Sequence, residues 1–114
     1  MGVDEKELAW AAGFYEGEGC IGAYQYGRRL VLRMSVVNTD PEPMQRFYKA
    51  VGVGYVTGPN HPPAFKAHWK PRYVWQAQTR EAIETVVKLL YGELSVRRQQ
   101  QIDAALTREK VPCQ

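Results

Sequence analysis

Two carboxylates stand one residue apart in the stretch AAGFYEGEGCIG, residues 11–22. Glu16 and Glu18 are set among small residues and four glycines, Gly13, Gly17, Gly19 and Gly22. Acids so placed can bind a hard cation or simply rest in solvent, and the residue types alone leave both open. Glycine costs a helix interior about 1 kcal/mol relative to alanine, so its concentration beside the acids needs a reason. A second set of residues is basic: Lys66, His68, Lys70 and Arg72 alternate within FKAHWKPR.

Charge is unevenly distributed. Residues 1–19 carry one Lys against five acids, and residues 20–78 carry eight Lys or Arg against two acids. The net charge of +3 therefore hides a basic middle segment beside an acidic cluster. A basic surface suits a polyanionic partner, although on charge alone a plain solvated face is the favoured reading.

The elements that must position these groups follow from periodicity and caps. Residues 4–16 read as a helix opened by Asp4. Within it Ala9, Gly13 and Gly17 recur every fourth residue, which lines small side chains on one stripe and lets another backbone come close. Gly17 and Gly19 can also be read as helix stops, which leaves Gly13 unexplained. Residues 20–26 read as a strand, turned at 27–29 into a second strand over 30–38. There Leu30, Leu32, Met34 and Val36 face one way, and Arg29, Val31, Arg33 and Ser35 the other. Asp40 and Pro41 start a helix that runs to Gly52. A short third strand lies within 52–58, and residues 58–71 carry no clear element. A fourth strand over 72–78 turns Tyr73, Trp75 and Ala77 inward and Arg72, Val74 and Gln76 outward. Thr79 caps a helix ending near Gly92, and a further helix runs from about Ser95 to Arg108. The order predicts an α+β fold, a four-stranded antiparallel sheet with helices on one face.

Composition bounds the class. The 114 residues, 45% apolar and 24% charged, fit one soluble globular domain over 1–114. No apolar run approaches the ~20 residues of a membrane span, so no membrane partner is expected. The start MGVDEKEL lacks the pattern of a secretion signal. Cys20 and Cys113 form neither a disulfide framework nor a zinc pattern. These features point to a reducing intracellular compartment, cytoplasm, nucleoid or organelle, and not to secretion.

AAGFYEGEG resembles the LAGLIDADG motif of homing endonucleases. VVNTDPEPMQRFYKAVGVGYV and LLYGELSVRRQQQ resemble later segments of that family, so the likeness covers roughly residues 7–106. It implies the αββαββα core with a saddle-shaped, DNA-binding sheet. It also implies that two motif helices pack side by side along Ala9, Ala12, Gly13, Glu16 and Gly17. By position in the motif Glu18, with the backbone carbonyl of Gly17, is implied as ligand of Mg²⁺ (or Mn²⁺) at the scissile phosphates. Glu16 occupies a position that is more often structural. Asn38 aligns with a polar group that positions water, or is only a turn residue before Asp40. Arg97 stands where the family usually has a Lys; it keeps the charge but cannot act as a base, and Arg98 is its alternative. For the sheet, the resemblance implies DNA contacts from Tyr24, Tyr26, Arg29, Arg33, Ser35, Arg72 and Gln76, with Arg28 and Thr57 at the margin. Lys66, His68 and Lys70 are implied at phosphates. One motif implies a homodimer on a long pseudo-palindromic duplex, cut in both strands. The alternative is a family member that binds DNA or RNA without cutting, as a regulator or a splicing maturase.

Overall fold

The acidic start of the chain nucleates the first helix, α1 (Glu5–Glu18). The Asp4 carboxylate accepts from the backbone N–H groups of Lys6 (3.1 Å) and Glu7 (3.2 Å). Glu5 and Glu7 occupy the first turn, where the helix dipole favours acids. The computed structural model describes residues 4–66 and 68–110, the side chains of 109 and 110 excepted. In it α1 runs two residues beyond the expected Glu16. Gly17 stays helical, and the chain leaves at Gly19 in an extended conformation (φ −75°, ψ 156°). Hence Glu18 is the last helical residue.

β1 (Gly19–Tyr26) and β2 (Arg29–Asn38) form a hairpin across Gly27, whose φ of +61° favours glycine. α2 (Pro41–Val51) is capped by Asp40, which accepts from Glu42 N–H at 3.0 Å, and closed by left-handed Gly52. β3 (Tyr55–Asn60) and β4 (Arg72–Ala77) follow, with one 3₁₀ turn at Ala64–Lys66 between them. β3 thus extends into the segment that offered no clear element. α3 (Arg80–Leu90) is capped by the Thr79 hydroxyl, a 3₁₀ turn at Tyr91–Glu93 follows, and α4 (Val96–Lys110) comes next.

All strand pairs are antiparallel, in the order β1-β2-β4-β3. The expected alternation holds: Leu32, Met34 and Val36 of β2 are buried with Trp75 and Ala77 of β4. The same core takes Ala11, Ala12 and Tyr15 from α1, Met44, Phe47 and Val51 from α2, Ile83, Val86 and Leu90 from α3, and Ile102 and Ala105 from α4. All four helices therefore cover one side of the sheet and leave the other open.

Aromatic packing fixes α1 to this frame. Trp75 donates its indole N–H to the Val53 carbonyl (2.9 Å) and meets Phe47 edge-on at 4.8 Å. Phe47 touches Phe14, which stacks on Trp10. The Arg46 guanidinium lies 4.1 Å over Trp10 and forks to Glu7 at 2.9 and 2.7 Å. Among the described residues no helix is long and apolar enough to cross a membrane. Cys20 is a free, exposed thiol, and Cys113 lies outside the described residues.

Candidate functional site

Three elements meet where α1 ends. The first is the helix end itself, with Glu16, Gly17 and Glu18. The carbonyls of a last helical turn have no intrahelical donor, and Gly17 belongs to that turn. Glu18 is exposed.

The second element is the start of α4. Glu16 accepts from both the backbone N–H and the hydroxyl of Ser95, each at 2.8 Å. Arg97 approaches the same carboxylate at 3.8 Å. The two bonds from Ser95, aided by the Arg97 and Arg98 charges, hold the Glu16 carboxyl below its ordinary range. Arg98 donates from Nε to the Glu16 carbonyl at 3.0 Å and lies 5.8 Å from the Tyr15 ring centre. The Ser95 hydroxyl also accepts from Arg98 N–H at 3.3 Å, capping α4. The positive end of α4 is thereby set against the negative end of α1, which both dipoles favour.

The third element is the end of β2. Gly19 pairs with Val36, so Asn38 lies two residues further along, about 7 Å of strand. The Asn38 Oδ1 accepts from Asp40 N–H at 2.9 Å. Its carbonyl oxygen thus serves the turn, while the side-chain amide N–H groups are not used in that bond.

The chemistry of this junction is that of a charged corner. Among the described residues no group of three or more His, Cys, Asp or Glu could hold a metal ion. One chain offers an exposed carboxylate and a helix-end carbonyl. Such a set fits a Mg²⁺ that keeps waters and takes phosphate oxygens; it does not make a closed cage.

On the small-residue stripe of α1, Ala9, Gly13 and Gly17 are exposed, and a Cβ at either glycine would have no atom within 4 Å. The stripe is open in the single chain. Of the other residues expected on this line, Ala12 is 2% exposed and packs in the chain's own core. Glu16 likewise turns to Ser95 within the chain.

The open face of the sheet follows from the register. Cys20, Ser35, Gln76 and Tyr55 form a row across all four strands. Gly22 lies opposite Arg33, Tyr26 opposite Arg29, Thr57 opposite Val74, and Asn60 opposite Arg72. Tyr24, Tyr26, Arg29, Arg33, Ser35, Arg72, Gln76 and Thr57 thus share one face, as the alternation predicts. The Arg33 guanidinium lies 5.9 Å from the Tyr24 ring. Partial burial, with Cys20 beside it, raises the Tyr24 hydroxyl pKa. Arg28 is exposed in the β1–β2 turn. Lys66, His68 and Lys70 stand apart from this face, in the β3–β4 connection. Lys66 is engaged there: its Nζ is 4.2 Å over Trp69. Sequence reasoning missed Tyr55, which alternation with Thr57 could have supplied, and Asn60, which comes opposite Arg72 only through a register shift after Thr57. It also missed Ser95, whose position before VRRQQQ reads as a cap but carries no sign of Glu16.

Solved homing endonucleases share this fold. The chain is similar to the homing endonuclease I-CvuI, solved in complex with its target in the presence of calcium. The TM-score is 0.74 at 19% identity, over 93% of this chain and 67% of that one. It is also similar to the group I intron-encoded homing endonuclease I-CeuI complexed with DNA (0.71, 13%, 94% and 55%). A third likeness is to the LAGLIDADG meganuclease I-AabMI bound to uncleaved DNA (0.71, 18%, 95% and 36%). At these identities the likeness is one of fold, and the chain spans between 36% and 67% of those three chains. No protein-family model and no curated protein sequence matches it.

Proposed function

From the LAGLIDADG homing-endonuclease fold, which this chain has, we propose a divalent-metal-dependent DNA endonuclease. Its 114 residues act as one domain, and two copies hydrolyse both strands of a long pseudo-palindromic site. The observation that carries this reading is the tie between Glu16 and Ser95, which holds Arg97 and Arg98 at the helix end that finishes on exposed Glu18. An acid and two permanent cations at one corner suit a phosphate held by metal and guanidinium together.

The roles divide by chemistry. Glu18 and the Gly17 carbonyl would hold Mg²⁺ or Mn²⁺, which supplies an activated water and stabilises charge on the leaving oxygen. Asn38, whose amide N–H groups are not used in its bond with Asp40, would help to place a water beside the phosphate. Arg97 offers charge to the phosphate and stays protonated, so it stabilises and does not act as base. The open face, with Arg29, Arg33, Arg72 and Gln76, lies in the major groove, where Arg can fork to guanine and Gln to adenine. Arg28 and the β3–β4 connection add phosphate contacts. The exposed line of Ala9, Gly13 and Gly17 meets the same line of the second copy.

The test is cleavage of a randomised duplex library with Mg²⁺, followed by sequencing of the ends. Discrete cuts flanking a pseudo-palindrome, lost in Glu18→Gln, are expected. Retention of a specific duplex or RNA without cuts, equal in both proteins, would replace the enzyme by a binding protein on the same fold.

A further inference from the structure

The β3–β4 connection holds two large aromatic rings in solvent. Phe65 is 78% and Trp69 is 50% exposed, the most exposed Phe and Trp among the described residues. Neither belongs to the core or packs against it. Apolar rings that the fold does not use are costly to leave in water. They are nevertheless held in a defined arrangement. Lys66 N–H donates to the Pro63 carbonyl (2.8 Å), and Trp69 N–H to the Lys66 carbonyl (2.9 Å). The Lys66 ammonium sits 4.2 Å from the Trp69 ring centre and 5.5 Å from that of Phe65. One cation thus addresses both rings.

The surroundings select the partner. The sequence has no Asp or Glu between Glu42 and Glu81, while Lys66, Lys70 and Arg72 flank the rings. A second apolar protein surface would leave these charges unanswered. A nucleic-acid strand answers both features, with a flat base for each ring and a phosphate for each cation. The location adds to this. β4 begins beside the end of β2, because Tyr73 pairs with Asn38, and Gly19 pairs with Val36 near that same end. The aromatic turn therefore projects from the end of the sheet where α1 delivers Glu18.

We propose that Phe65 and Trp69 form a stacking site for an unpaired or partly unstacked DNA base. This rests on the DNA partner proposed above, but not on cleavage. The site favours DNA that opens easily where it meets this turn, and it gives the protein an affinity for single strands that phosphate contacts alone would not.

The test is binding of a short single-stranded oligothymidylate, read by anisotropy and by tryptophan fluorescence. An abasic oligomer of equal length and charge is the comparison. The thymidylate is expected to quench Trp69 and to bind more tightly than the abasic strand. Phe65→Ala and Trp69→Ala should each weaken it by roughly 5- to 100-fold, with the slope of log affinity against log salt unchanged. Lys70→Gln should instead weaken both strands alike and lower that slope. Equal affinity for the two strands, unchanged by the aromatic variants, overturns the proposal. So does a drop in oligomer size in Phe65→Ala, which would assign the rings to contact between copies. Binding of neither single strands nor duplex overturns the DNA partner itself.

Discussion

Gly19→Ala tests how α1 is joined to the sheet. Gly19 is extended, so alanine meets no backbone objection there. The obstacle is Tyr15. A Cβ at position 19 would lie 2.3 Å from Cδ1, 2.4 Å from Cε1 and 2.6 Å from Cγ of that ring. Carbon atoms pack at about 3.5–4.0 Å, so something must move by more than about 1 Å. Tyr15 is 1% exposed among Ala11, Ala12 and Leu94, and cannot swing into solvent. Overpacking of this kind costs about 1–3 kcal/mol. For a chain of this size that is a fall in Tm of roughly 4–12 °C. The same movement reaches Glu18, the neighbouring residue. With Glu18 as the metal ligand proposed above, a displacement of about 1 Å there costs ~100-fold in rate. Gly22→Ala is the control, because its Cβ meets only the exposed tip of Tyr24 at 3.0 Å. Thermal unfolding and cleavage of both variants decide the matter. If Gly19→Ala melts and cuts like the parent, Tyr15 does not hold the corner and the account of Glu18's setting is wrong. If it is destabilised, adding Tyr15→Leu should recover part of the loss, a coupling that independent sites do not produce.

Gly13→Ala should stabilise the isolated chain by about 1 kcal/mol, since it lies inside α1 with open space at its Cβ; Gly13→Leu should leave folding intact and abolish self-association, both read by sedimentation and thermal melts. Trp75→Ala removes a fully buried ring and its bond to Val53, and should cost about 3–5 kcal/mol in urea unfolding with cleavage lost in proportion to the unfolded fraction. The Glu16 and Glu7 carboxyls titrate below their ordinary value of 4.5, held down by Ser95 and Arg46 respectively. Their stabilisation is therefore fully present above that value and lost as pH falls through the lower folded values. Melting temperatures of Glu16→Gln should fall less steeply with acid than those of the parent. Tyr15→Phe should not destabilise, because the buried Tyr15 hydroxyl has no hydrogen-bond partner among the described residues and burial pushes its pKa up.

Local signals were readable and long-range ones were not. Asp40-Pro41 and Gly52 mark both ends of α2, and the alternation of Leu32, Met34 and Val36 fixes which face of β2 is buried. The caps Asp4 and Thr79 act as their types predict. The end of α1 was misjudged because Gly17 lacks a helix-stopping φ here; the packing of Tyr15, Gly19 and the following strand decides where the chain leaves. Periodicity does not say that β4, and not β3, lies beside β2. Nor can it pair Glu16 with Ser95, 79 residues away. Glu18 is singled out only by its motif, whereas the exposure of Phe65 and Trp69 depends on a turn with no repeating pattern.

The Glu16–Ser95 tie also has a bearing on synthesis. Every strand of the sheet precedes residue 78, so all four are synthesised before the residues that tie down the end of α1. The helix end bearing Glu18 lacks its anchor until Ser95 and Arg98 have left the ribosome. A chain stopped between residues 78 and 95 would therefore hold all four strands but leave the end of α1 untied.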